Sequence, residues 1–431
     1  MTSRTLLPGA TGSPSRGPSL REQTLLVCAL IGTSQMTWGV VVPVLPVYIE
    51  RFGMTAAVLG PLIAAFGLGR TIANIPAGVL LRRWHPRRYM IVVLLGLAAA
   101  TAATSLVSDP VLLTAARLVA GLLGGAAVTI GFAVLIAGAP EGRRGSTMAT
   151  ATVVQMSSSA VGSLLGGVTV TVLGSSAAFV VAALPVLLCL GWEALRPPRH
   201  YWSALEHRPS DPPPAPGGAG RAGVVALLPT IAVLVGVSFA TFFARFAGDQ
   251  GLTPVLGYTV GGLTPLTLGI ALAVSTGASL LALPVVGRIV DRGARLSVYL
   301  PAVGVVLLAL TVFPWAANPW LFGAVLALYG LANSVAGVVP NVVTGERVPR
   351  RMTGTVVGIT RSAGDAGAVL GPLLVFAAYD AGGGVAGVAV IAAVLLSASS
   401  CFAVSVARSR ARARRPDPGE EDGPAELRSS G

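Results

Sequence analysis

Twelve long apolar runs dominate the sequence, at about 24–49, 57–81, 89–107, 111–138, 146–172, 175–195, 225–250, 264–288, 297–316, 320–344, 354–379 and 384–407. Each is close to or above the roughly 20 residues that an α-helix needs to cross the hydrocarbon of a bilayer. Inside hydrocarbon every backbone N–H and C=O must find an internal partner, so only helices and closed barrels can span it. Barrel strands run about 9–11 residues and alternate in polarity, and these runs do neither. The expected fold class is an all-α polytopic membrane protein with twelve transmembrane helices. Composition agrees: of 431 residues, 53% are hydrophobic and 11% charged, whereas soluble domains carry about a quarter charged residues. Cys28, Cys189 and Cys401 all lie in apolar runs and read as small core hydrophobes, which excludes a disulfide scaffold.

The net charge of +13 comes with no lysine: all 30 cationic residues are arginine. If the N-terminus lies inside, 25 of the 30 fall in segments on that same side, including Arg82, Arg83, Arg87 and Arg88 after the second run and Arg408 to Arg415 after the last. The opposite side keeps only Arg51. Cationic loops resist translocation, so both termini are expected in the cytoplasm. This placement makes the positive charge a mark of topology and argues against a nucleic-acid partner. The expected partners are the lipid bilayer, whose anionic headgroups suit Arg408 to Arg415, a small-molecule substrate and protons, with the protein a monomer. The first twenty residues hold Arg4 and Arg16 with no short apolar core, so the first helix is expected to act as its own insertion signal. Exclusive arginine use and Pro-rich segments suggest a high-GC bacterium, and hence its inner, plasma membrane.

A constant shift of 209 residues relates two halves of the chain. It pairs Gly53 with Gly262, Thr55 with Thr264, Gly60 with Gly269, Gly78 with Gly287, Arg83 with Arg292, Pro110 with Pro319, Pro140 with Pro349 and Gly162 with Gly371. Chance explains matching glycines but not loop prolines and basic loops in one register. The expected organisation is a tail at 1–23, a six-helix bundle at 24–196, a polar Pro/Gly-rich cytoplasmic linker at 197–222, a second bundle at 223–407 and a disordered tail at 408–431. Two pseudo-symmetric six-helix bundles packed face to face leave a midplane cavity that rocking opens to either side.

The turn after the second span reads Gly78-Val-Leu-Leu-Arg82-Arg83-Trp-His-Pro-Arg87-Arg88, and its partner reads Gly287-Arg-Ile-Val-Asp291-Arg292-Gly293-Ala-Arg295. These resemble the G-x-L-a-D-r-x-G-r-k signature of the major facilitator superfamily, with Arg82 at the acidic position and His85 at the second glycine position of the first copy. Short basic turns also serve topology alone. The fourth span carries Leu113-Thr-Ala-Ala-Arg117-Leu-Val-Ala-Gly121, similar to the L-x-x-x-R-x-x-x-G motif of proton-coupled facilitators. The fifth carries Gly162-Ser163-Leu-Leu-Gly166-Gly167, similar to the G-P-x-x-G-G motif of antiporters with Ser163 replacing proline; the eleventh has Gly371-Pro372 at the repeat-related position. The resemblance implies the twelve-helix facilitator fold and, within it, the drug:proton antiporter branch. Gating would fall to Gly78, Arg82, Arg83, Gly287, Asp291 and Arg292. Close helix packing would fall to Gly162, Gly166, Gly167, Gly371 and Pro372.

Ionisable residues inside spans are costly unless they face a cavity or a partner. Arg70, Arg117, Arg245 and Arg361 qualify, with Asp249 and Asp365. Arg245/Asp249 and Arg361/Asp365 are each four apart, so each pair shares a helix face and can neutralise itself. The repeat-related residues are Met36 and Val40, and Thr152 and Met156. Pairs needed only for architecture would more readily occur twice. Asp365 is thus the expected proton carrier, held or released by Arg361, because low dielectric favours a neutral acid and a nearby guanidinium favours its carboxylate. Asp249 is the second candidate, near the outer mouth. Four arginines against two acids leave a count of +2 in the expected cavity, where Arg70 and Arg117 suit an anionic group or hydrogen-bond to neighbouring helices. Gln35, Trp38 and Asn74 complete the expected cavity, with Trp38 offering a stacking face.

Histidines at 85, 200 and 207 are scattered, no Cys/His spacing suits a metal, and without lysine no phosphate-binding G-x-x-x-x-G-K-[ST] loop exists. No cofactor, metal or enzymatic activity is expected. The reading is a secondary transporter exporting small organic molecules by proton antiport. Its alternatives are uptake or exchange of an organic anion and a non-transporting membrane sensor.

Overall fold

A computed structural model describes residues 18–51, 53, 58–81, 83–140, 143–206, 221–293, 295–348 and 350–413. The N-terminal half contains α1 (Leu20–Arg51), α2 (Leu59–Leu80), α3 (Pro86–Ala103), α4 (Pro110–Gly138), α5 (Arg144–Leu173) and α6 (Ser175–Leu195). In the C-terminal half, α7 runs as Arg221–Phe243, a π-helical stretch Ala244–Leu252, and Thr253–Thr259. It is followed by α8 (Pro265–Asp291), α9 (Arg295–Val312) and α10 (Pro319–Arg347). A continuous helical stretch, Arg350–Ala413, breaks at Gly382 and Gly383 into α11 (350–381) and α12 (384–413). The described residues therefore hold the twelve expected spans.

The 209-residue repeat is visible in the backbone. Shifting Pro86–Ala103 gives the bounds of Arg295–Val312, shifting Thr104–Leu106 gives the 3-10 turn Phe313–Trp315, and shifting Pro110–Gly138 gives Pro319–Arg347. The caps match too. Asp109 accepts from the backbone N–H groups of Val111 and Leu112, and Asn318 accepts from those of Trp320 and Leu321, satisfying donors that a helix start leaves open. Gly174, at φ 87°, separates α5 from α6, and its repeat partner Gly383, at φ 67°, separates α11 from α12. A left-handed residue costs glycine little, so both helix breaks sit where the sequence permits them.

The outer surface is apolar. Ile75, Leu188 and Leu281 are 77%, 75% and 82% exposed, a pattern suited to lipid. Helices meet through small residues. A Cβ on Gly162 would meet the Met36 carbonyl, one on Gly166 the Val40 carbonyl, and one on Gly121 the Phe66 carbonyl; such approach of backbones replaces the hydrophobic driving force that lipid removes.

The linker departs from expectation. Residues 207–220 lie outside the described set, but Arg199–Glu206 forms a helix docked on the N-terminal half. Tyr201 and Trp202 are buried, the Tyr201 hydroxyl bonds Thr24 at 2.6 Å, and a ring nitrogen of His200 meets the Gly138 carbonyl at 3.0 Å. Two aromatics in an otherwise polar segment supply this anchor.

Candidate functional site

The halves touch chiefly on the side away from the arginine-rich turns. There Gly60 packs on Pro372, Gly67 on Ala368, Gly167 on Pro265 and Gly269 on Ser163, and the Tyr258 hydroxyl donates to the Pro43 carbonyl. On the arginine side a Cβ at Gly78, Gly145, Gly287 or Gly358 would meet nothing within 4 Å. The two halves thus close on one side and part on the other. The proposed gating glycines, Gly78 and Gly287, make no close approach in this conformation, and Arg83, Asp291 and Arg292 are exposed. Arg82 lies outside the described residues.

Between the halves lies a cavity of about 450 Å³, within the ≈300–1,000 Å³ typical of small-ligand sites. One wall is α5, with Thr152, Met156 and Ser163; facing it are α7, α8 and α10. The π-helical register of α7 widens the turn, so Arg245, Asp249 and Gln250 all line the cavity; such stretches are frequent at functional sites. Asp249 therefore lines the cavity itself. Its Oδ2 receives Asn333 Nδ2 at 3.5 Å, and the Tyr329 hydroxyl lies against its carboxylate. Gln250 Oε1 is buried without a partner. Tyr329, Asn333 and Gln250 were not singled out from the sequence. Gln250 and Asn333 carried a signal, as amides in apolar helices; Tyr329 carried none.

A second polar cluster lies on the seam between α2 and α11. Asn74 Nδ2 donates to Asp365 Oδ2 at 3.0 Å, and Thr129 Oγ1 of α4 donates to Asn74 Oδ1 at 3.2 Å. Arg70 sits 5.7 Å from the centroid of the Phe246 ring and interacts electrostatically with Asp365, Arg245 and Arg361. Asp365 is buried and Arg361 exposed.

Several expectations are corrected by this geometry. Neither Arg245–Asp249 nor Arg361–Asp365 closes as an ion pair; among the described residues the ion pairs are Arg87–Glu193 at 2.7 Å and Arg196–Glu22 at 2.8 Å. Asp365 turns instead toward α2. The cavity lining carries one arginine and one aspartate, so its formal charge is zero and not +2. Arg117 is 1% exposed inside the N-terminal half, with Nη2 on Thr104 Oγ1 at 2.9 Å and its guanidinium 5.6 Å from the Phe179 ring centroid. It does not reach the cavity. Trp38 is buried and stacked on Phe66 at 4.1 Å, and Gln35 is half-buried away from the lining. Gly162, Gly166 and Gly167 do pack tightly, as does Gly371 against Phe243, while the Pro372 carbonyl faces Gly60.

The sequence profile described as Major Facilitator Superfamily matches residues 27–372 and, in a second match, 237–429. A solved structure titled nucleoside transporter NupG superposes with a TM-score of 0.65 at 12% identity, covering 91% of this chain and all of that one. A single-substitution variant of NupG gives 0.61 at 11% identity, covering 89% of this chain and 98% of that one. At such identities the likeness is one of fold. No curated protein sequence matches the chain. The family match spans most of the sequence and agrees with the twelve helices, the internal repeat and the cavity between halves: the chain belongs to the major facilitator superfamily and is a multi-pass membrane transporter.

Proposed function

We propose that this transporter works by alternating access, that it couples solute movement to protons, and that Asp365 carries the proton. The observation behind the coupling is the Asn74–Asp365 hydrogen bond, which joins the two halves at 3.0 Å. A hydrogen bond to a carboxylate is roughly twice as strong as one between neutral groups. Protonating Asp365 therefore weakens the seam between α2 and α11 and favours its opening. On this reading Asp249, which lines the cavity, senses the solute. With the arginine-rich side cytoplasmic, in a bacterial plasma membrane, the conformation described here faces inward.

Export by antiport is the direction suggested by the resemblance of Gly162 to Gly167 to the antiporter motif. Uptake is the second reading: the motif's glycines serve helix packing here, and the superposed structures are titled as those of a nucleoside transporter. Reconstituted vesicles with an imposed pH gradient separate the two. An acidic lumen drives solute inward by antiport, and an acidic exterior drives it inward by symport. Asp365→Asn is expected to remove the response to the gradient while leaving the protein folded; a wild-type response in that variant refutes the coupling role.

A further inference from the structure

We propose that the C-terminal half holds one ordered water molecule in a polar chamber behind the central cavity, where it bridges Ser399 to Asn333, the amide that meets Asp249. The inference concerns the interior of one bundle and stands whether or not transport is coupled to protons.

The chamber has a volume of about 20 Å³, room for one water molecule. Its walls are α7, α9, α10 and α12. Thr241, Asn333 and Gly337 line both the chamber and the central cavity, so the two adjoin. The apolar core of the C-terminal half breaks at this place. Ala240, Val306 and Leu395 belong to one cluster of buried residues, Val237, Tyr299 and Val303 to another, and all six line the chamber. The buried side chains of the N-terminal half form one cluster.

A buried water makes about three hydrogen bonds and needs polar partners to stay. Tyr299 and Ser399 are 3% and 6% exposed, and the Tyr299 hydroxyl donates to Ser399 Oγ at 3.0 Å. Among the described residues no acceptor receives the Ser399 proton in turn, and a buried donor left over is costly. Thr241 commits its proton to the Val237 carbonyl at 2.8 Å and presents lone pairs. Asn333 directs Nδ2 to Asp249, which leaves its amide oxygen as an acceptor. A water that accepts from Ser399 and donates to Thr241 and Asn333 satisfies all three. It also fixes the Asn333 amide from behind, in the orientation that faces Asp249.

The internal repeat shows that the scaffold does not require this chamber. Shifted by 209, Tyr299, Asn333, Gly337 and Ser399 fall on Met90, Gly124, Val128 and Leu190, none of which carries a hydroxyl or an amide side chain. The chamber therefore belongs to the half that carries Asp249.

The test is radiolytic footprinting of the purified full-length protein in nanodiscs: a brief X-ray pulse makes hydroxyl radicals from water, and mass spectrometry finds the side chains oxidised. Tyr299 reports the chamber, because its burial keeps it from bulk water. Tyr48 and Tyr201, also buried and lining neither the chamber nor the central cavity, set the dry background. Oxidation of Tyr299 well above that background is expected. It should be lost in Ser399→Leu and in Gly337→Val, which install the side chains that the N-terminal half carries at those positions. A Cβ on Gly337 meets nothing within 4 Å, so Gly337→Val keeps the test decisive if Ser399→Leu does not fold. Tyr299 no more oxidised than Tyr48 and Tyr201, or oxidation undiminished in a folded filling variant, overturns the proposal.

Discussion

Replacing Asn74 by leucine is expected to shift the transporter away from the conformation described here. The substitution keeps the side chain's bulk but removes the donor that reaches Asp365 across the seam. Hydrogen bonds to charged groups contribute about 1.5–3 kcal/mol in soluble proteins, whereas inter-helix bonds within a membrane average about 0.6 and reach about 1.7 kcal/mol. A value near 1 kcal/mol corresponds to about a fivefold change in the ratio of the two states. Opening the far side must part α2 from α11, so the change favours the far-side-open state. Spin labels at Arg51 and Asp380, exposed on that side in opposite halves, report the separation by electron–electron distance measurement in nanodiscs, with the exposed Cys401 replaced by serine. The longer-distance population should grow about fivefold in Asn74→Leu. Asp365→Asn retains an acceptor oxygen and should shift it less. Identical distance distributions for the wild type and Asn74→Leu would refute the latch.

Other expectations follow from packing and charge. Gly162→Val is expected to abolish the monodisperse, folded fraction in size-exclusion chromatography, because its Cβ meets the Met36 backbone, while Gly78→Ala, in open space, leaves that fraction intact. Arg87→Ala strands the buried carboxylate of Glu193, 2% exposed; water already reaches Arg87, 38% exposed, so the cost is about 1–2 kcal/mol, read as a lower thermal midpoint in detergent. Glu193→Gln, which leaves no stranded charge, should cost less. Arg117→Met should preserve both fold and substrate affinity, because no carboxylate partners Arg117 and it lies away from the cavity; a large loss of affinity would assign it to the binding site.

The fold was legible because its determinants are one-dimensional. Apolar length, arginine placement and the 209-residue shift are properties of the string, and the bounds of α3, α4, α9 and α10 reproduce that shift. The site was legible only as a set of candidates. Counting charges in spans picked out Asp249, Asp365, Arg70 and Arg117 alike, but burial depth and azimuth decide which meet. Arg117 faces Thr104 within its own half, and Asp365 pairs with Asn74, 291 residues away. Helical spacing placed Arg245 and Asp249 on one face but gave no sign of the π-helical stretch that also turns Gln250 to the cavity. The linker's anchoring helix was missed because two aromatics in eight residues leave little periodic signal.

Under the proposed coupling, the internal repeat confines protonation to one seam. Two equivalent seams join the halves, α2 against α11 and α8 against α5. The repeat carries Asn74 to Leu283 and Asp365 back to Met156. Leu283 and Met156 both line the cavity, so the second seam has an apolar pair where the first has a titratable one. Both seams are closed together in this conformation, and only the first carries an acid. Protonating Asp365 is proposed to weaken the α2–α11 contact, whereas Leu283 and Met156 carry no titratable group. On the proposed coupling, protons therefore act on the conformation described here through the first seam. Installing Asn at 283 and Asp at 156 together should give the second seam its own titratable contact, read as a larger pH-dependent distance change between the labels at Arg51 and Asp380. No added pH dependence from a folded double variant would show that the latch needs more than its two polar partners.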